Sequence, residues 1–117
     1  MVVTSAMTVH STIGPGLLES AYEACLVREL ALRGLSVRRQ VTLPLEYRGA
    51  RIDVGYRLDL VVEDQVIVEV KATKAIDPIH RAQLLSYLRL SGLRLGLLLN
   101  FHALRLKHGI VRMRNDR

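Results

Sequence analysis

The sequence predicts an α/β (α+β) fold, a mixed central sheet flanked by helices. Three observations predict it. Residues 17–33 are rich in Leu, Glu, Ala and Arg, all good helix formers, and Gly34 ends the run. Asp77-Pro78 is a helix start, with Asp as N-cap and Pro at the first helical position. Between and beyond these helices lie short runs of Val, Ile and Leu, bounded by turn residues, as strands are.

The elements follow in order along one domain, 1–117, with no linker, repeat or low-complexity segment. Residues 2–10 form a short helix and Gly14-Pro15-Gly16 breaks the chain. After helix 17–33, residues 37–45 alternate in polarity (Val37, Arg39, Val41, Leu43, Leu45), as a half-exposed strand does. Arg48-Gly49 is a turn, and residues 51–55 continue as extended chain or loop. Strands near 56–62 and 66–72 make a hairpin whose acidic turn, Glu63-Asp64, sets register and solubility. The next helix runs to about Leu90 and ends at Ser91-Gly92, with Ile79, Ala82, Leu85 and Leu88 as its core face. Its other side carries a polar stripe of His80, Gln83 and Tyr87. Residues 94–101 read as a buried central strand. Residues 104–107 and 110–113 flank His108-Gly109 as a second hairpin, and Arg112, Arg114 and Arg117 leave a basic tail.

Composition bounds the function. Half of the residues are hydrophobic and the mean hydropathy is +0.20, so a core is affordable, but aromatics make up only 4%. A net charge of +6 and a pI near 10.1 favour a polyanionic partner, nucleic acid ahead of membrane, or else a solvated Arg-rich surface. The one cysteine, Cys25, allows no internal disulfide, which fits a reducing cytoplasm, and its helical setting suits a packed thiol. Met1 to His10 lacks the basic start of a signal peptide, and no apolar run is long enough to span a membrane.

The chemistry sits in the central hairpin, "YRLDLVVEDQVIVEVKATKAI". Glu69 and Lys71 share one strand face while Val68 and Val70 take the other. If the turn is centred on Asp64, across an odd-numbered loop or a bulge, Asp59 falls opposite Glu69. Two facing carboxylates repel unless a cation sits between them, and oxygen ligands suit Mg²⁺, with Mn²⁺ as substitute. Lys71 could then orient a water or offset charge on the transition state. The same residues also read as a structural ion pair, Lys71 satisfying Asp59 or Glu69 at a solvated sheet edge. Glu19, in the first turn of helix 17–33, reads simply as a carboxylate favoured by the helix dipole, with Tyr22 on the same side.

Asp59 followed by Glu69-Val70-Lys71 resembles the active site of the PD-(D/E)XK nuclease superfamily. Gln83-Leu84-Leu85-Ser86-Tyr87 resembles the Gln-x-x-x-Tyr helix of its RecB-type branch, and Gly16-Leu17-Leu18-Glu19-Ser20-Ala21-Tyr22 looks like the signature of the small GxxExxY family. Thr8 departs from the pattern, standing where an acidic residue is expected. The resemblance implies a restriction-endonuclease-like core that binds Mg²⁺. It implies Asp59, Glu69 and the Val70 carbonyl as direct metal ligands, with Glu19 completing the shell. Lys71 becomes the catalytic lysine, and Gln83 and Tyr87 steady the lysine, the water or the DNA backbone.

The leading reading is thus a Mg²⁺-dependent nuclease hydrolysing DNA phosphodiester bonds by a metal-activated water, DNA ranking ahead of RNA. A second is a non-cleaving module that binds nucleic acid or a partner protein; the small size points to a homodimer or a larger partner. A third is a purely structural protein with an ion-paired hairpin. Arg38, Arg39, Lys74 and Arg81 are the first candidates for phosphate contacts, with Arg48, Arg51 and Arg89 beside them. Scarce aromatics argue against a base-stacking platform and favour a basic groove that follows phosphates.

Overall fold

The computed structural model describes residues 1–116; Arg117, counted in the basic tail, lies outside the described residues. Helices α1 (Val2–Ile13) and α2 (Glu19–Leu32) precede strands β1 (Val37–Thr42), β2 (Leu45–Tyr47), β3 (Ala50–Ile52), β4 (Arg57–Val62) and β5 (Val66–Lys71), and α3 (Pro78–Ser91) leads to β6 (Leu95–Asn100) and β7 (Ile110–Arg114). Five strands form one sheet in the order β1-β4-β5-β6-β7, and β2 pairs with β3 as a separate hairpin. Within the sheet only β5 and β6 run parallel, joined by the α3 crossover; β1-β4, β4-β5 and β6-β7 are antiparallel. The fold is the mixed α+β architecture the sequence predicts. No helix among the described residues is long and apolar enough to cross a membrane.

Strand alternation divides the apolar residues between two layers. Val68, Val70, Leu97 and Leu99 pack under α1 and α2 against Ala6, Tyr22, Leu26 and Leu30. Ile67 and Leu98 pack on the opposite face against Leu84 and Leu88 of α3. Gly96 permits that second contact, because a Cβ there would lie 2.7 Å from Leu84 Cδ1.

Three local expectations change. Residues 37–45 are not one strand: β1 stops at Thr42, and Leu45 begins the β2–β3 hairpin beyond Pro44, which has no N–H for a ladder. The hairpin expected around His108-Gly109 is a short 3₁₀ turn over Leu106–Gly109, and β7 pairs with β6 instead. On α3 the core face is Leu84 and Leu88, while Ile79 is 62% exposed and Ala82 is also open.

Tyr22 ties the loop before α2 to the core. It is fully buried and stacked on Phe101, with ring centroids 4.6 Å apart. Its hydroxyl donates to the Gly14 carbonyl at 2.6 Å and accepts the Leu17 N–H at 3.0 Å. Tyr22→Phe leaves both main-chain groups without that partner. We expect a loss of about 1–3 kcal/mol, read as a lower urea midpoint with an unchanged slope.

Candidate active site

The β4–β5 connection contains three residues, 63–65, and pairs Val62 with Val66, Val61 with Ile67 and Leu60 with Val68. The register centres the turn on Asp64 and sets Asp59 opposite Glu69. The turn is stapled to the start of β1: the Glu63 carboxylate accepts the Ser36 N–H and hydroxyl at 2.9 and 2.6 Å.

Beyond Leu60 and Val68 the backbone ladder between β4 and β5 gives way to carboxylates. The Asp59 N–H donates to Glu69 Oε2 at 2.9 Å, and the Val70 N–H donates to Asp59 Oδ2 at 2.8 Å. Each acid spends one oxygen on the opposite main chain. The other oxygen makes no hydrogen bond among the described residues, and since no buried side-chain polar atom among them lacks a partner, both free oxygens reach solvent. The N–H and C=O of one strand residue leave on the same edge, so the Val70 carbonyl faces this opening too.

A second irregularity lies on the other side of Asp59. In β1, Val37 packs in the α1–α2 layer and Val41 in the α3 layer, although four residues on a regular strand return to one face. In β4, Leu60 and Leu58 divide in the same way. Arg39 pairs with Leu60 and Val41 with Leu58, so the reversal falls at Gln40 and Asp59, opposite each other. Gln40 takes a left-handed φ of 48°, uncommon for a side chain of its size. It is held there by Glu23, which accepts Gln40 Nε2 at 3.0 Å with one oxygen and the Arg39 guanidinium at 3.0 Å with the other.

The acids repel one another in a poorly solvated place. Burial, then the charge of Asp59, pushes the Glu69 carboxyl up to about 8. Burial also raises Asp59, opposed by its bond from Val70 and by Lys71, and reinforced by the charges of Glu23 and Glu19. Oxygen donors of this kind fit a hard divalent cation, which would relieve the repulsion. Among the described residues no three acidic, histidine or cysteine side chains form a ready cluster, so the converging set is Asp59 and Glu69. Glu19, exposed at the start of α2, is near enough to raise Asp59 but outside such a cluster.

Lys71 is half-buried and forms no ion pair with either acid among the described residues, contrary to what the structural reading requires. Its backbone is fixed instead: the Lys71 carbonyl accepts the Phe101 N–H at 2.9 Å. Opposite it in register, buried Asn100 bonds both the N–H and carbonyl of Thr73, at 3.1 and 2.9 Å. Tyr87 lies near the acids, its hydroxyl pushed up by burial and then by the charges of Glu69, Tyr56 and Asp59. Gln83 is exposed on the same face of α3.

The basic residues divide. Arg38 pairs with Asp64 at 2.8 Å, Arg39 with Glu23 at 3.0 Å and Arg51 with Asp53 at 3.2 Å. Lys74, Arg81, Arg48 and Arg89 are exposed and make no ion pair among the described residues. Sequence reasoning missed Glu23, Gln40 and Asn100. Glu23 had a signal, lying one helical turn beyond Glu19 and hence on its side of α2.

Raised acids give a signed pH dependence. Between the ordinary glutamate value of 4.5 and about 8, the folded state holds a proton on Glu69 that the unfolded chain releases. Stability therefore falls as pH rises through that window. The metal-free protein should melt on the order of 10 °C lower at about pH 9 than near pH 5. Calorimetry in EDTA measures this; a melting temperature that rises with pH would contradict it.

The family model described as PD-(D/E)XK nuclease superfamily matches residues 1–113. Neither the search of curated proteins nor that of solved structures returned a match.

Proposed function

The chain belongs to the PD-(D/E)XK nuclease superfamily, and we propose from it that this protein is a Mg²⁺-dependent nuclease hydrolysing phosphodiester bonds in DNA. The observation that carries the reading is the exchange between Asp59 and Glu69, which parts two strands and leaves a free carboxylate oxygen on each. In this reading Asp59, Glu69 and the Val70 carbonyl would hold Mg²⁺ or Mn²⁺, and Glu19 of α2 would complete the shell. The ion would supply Lewis acidity at a phosphate oxygen and lower the pKa of a water. Lys71, which makes no ion pair among the described residues, would hold the attacking water and offset charge developing on the phosphate. Gln83 and Tyr87 steady that water or the strand, and Lys74 and Arg81 contact phosphates. Arg38 and Arg39 join them by exchanging their present carboxylates for phosphate.

Gly16, Glu19 and Tyr22 support placing the chain in the GxxExxY family, and Gln83 with Tyr87 supports the RecB-type branch. We further propose a single domain over 1–117 acting in the cytoplasm, as a homodimer or with a larger partner, because little surface lies outside the core.

The test is incubation of purified protein with single- and double-stranded DNA in Mg²⁺ or EDTA, beside a Glu69→Ala preparation. Cleavage that needs both metal and Glu69 supports the reading. Equal cleavage by both preparations, or none under any condition, overturns it. The position of Glu19 outside the acid pair favours a non-cleaving binding module as the second reading. Gel-shift binding that persists in EDTA, without cleavage, would select that module.

A further inference from the structure

A groove of about 420 Å³ runs along α3 and shares Gln83 and Tyr87 with the nuclease reading, while its other lining residues have no role there. Its floor is one face of α3, where Ile79, Gln83, Tyr87 and Leu90 recur at helical spacing. Its wall is Tyr56 and Leu45, the latter from the β2–β3 hairpin. That hairpin is two-faced: Leu45, Tyr47, Ala50 and Ile52 share one side, and Glu46 opposes Arg51 on the other. The apolar surface around the groove stands open, with Ile79 at 62% exposure and Tyr56 at 42%.

We propose that this groove is a slot for one unpaired nucleobase next to the scissile phosphodiester, so that the protein selects single-stranded or locally unpaired nucleic acid. The proposal rests on the nuclease reading for its placement. Three features choose a base over other occupants. Tyr56 and Tyr87 meet at 6.0 Å with planes tilted by 52°, so neither ring stacks on the other and a planar group can lie against them. Gln83 brings amide donors and an acceptor to the floor, which match the edge of a base. Arg89 also lines the groove, exposed and without an ion pair among the described residues, and offers a cation to the neighbouring phosphate. Tyr87 links the slot to the acid-bearing strands, since it packs in one apolar layer with Leu58, next to Asp59 on β4, and Ile67 of β5. A base seated here has left any duplex stack. Few aromatics in the chain exclude a platform for successive bases, but one slot needs only these two tyrosines.

The test uses the full chain in EDTA, with short oligonucleotides carrying 2-aminopurine at successive positions, and Tyr56→Ala and Tyr56→Phe variants. Tyr56 is partly exposed, so neither variant threatens the fold. Expected are quenching at one position, roughly tenfold weaker single-strand binding by Tyr56→Ala, near-normal binding by Tyr56→Phe, and duplex affinity changed less than about twofold. Single-turnover cleavage of single strands at limiting protein in Mg²⁺ should fall in Tyr56→Ala by roughly the tenfold loss of affinity. Equal single-strand affinity in Tyr56→Ala and wild type, no quenching at any position, or no binding of any strand overturns the slot. Cleavage without Tyr56 dependence removes the slot and leaves the nuclease reading intact. Quenching and Tyr56 dependence without cleavage do the reverse.

Discussion

Glu69→Gln is expected to reduce cleavage on the order of a thousandfold and, in the same preparation, to raise the melting temperature of the metal-free protein. The two effects have one cause. Glu69 is 6% exposed and faces a second carboxylate across a parted strand pair. Its ionised form is costly to the fold and valuable to a divalent cation. The amide keeps an oxygen that can accept the Asp59 N–H, so the opening between β4 and β5 persists while the repulsion ends. The gain in stability should therefore be largest above about pH 8, where wild-type Glu69 is ionised, and vanish near pH 5. Melting in EDTA at the two pH values, beside a cleavage time course in Mg²⁺, measures both. A variant less stable than wild type at high pH would show that the charge is compensated within the protein.

Lys71→Met should lower cleavage by about a hundredfold to ten-thousandfold while leaving Mn²⁺ affinity unweakened. Lys71 draws the pKa of both acids down but bonds to neither, so its loss removes a charge that repels the metal, and above about pH 8 the ionised pair is no less able to hold a cation. Methionine retains the apolar stem that partly buries at the end of β5. Titration calorimetry with Mn²⁺ and single-turnover cleavage separate the two quantities. A structural lysine would behave oppositely, with melting temperature falling and the rate on bound substrate holding.

The register of the central hairpin was legible only on the condition of a turn centred on Asp64, and the three-residue connection meets that condition. Helices α2 and α3 were legible from runs of good formers, an Asp-Pro start and glycines beyond the ends. The reversal at Gln40 and Asp59 was not. It depends on Glu23, which lies 17 residues from Gln40 along the chain, and no local pattern encodes a contact at that distance. The exposure of Ile79 and Ala82 escaped for a related reason. Periodicity tells which residues share a face of α3, but the close contact of Leu84 with Gly96 decides which face turns inward. β7 paired with β6 because an available sheet edge offers more than a short hairpin closing on itself.

The kink at Gln40 has a consequence for how the molecule behaves in company. β1 is an outer strand of the sheet, and an outer strand offers unpaired main-chain groups to any passing extended chain. The left-handed residue interrupts that offer midway, dividing the edge into Val37–Arg39 and the two residues Val41 and Thr42. Neither piece is long enough to template a neighbour, and Arg38 and Arg39 add charge to the first. The distortion beside the acid pair also guards this edge of the sheet against growing by aggregation.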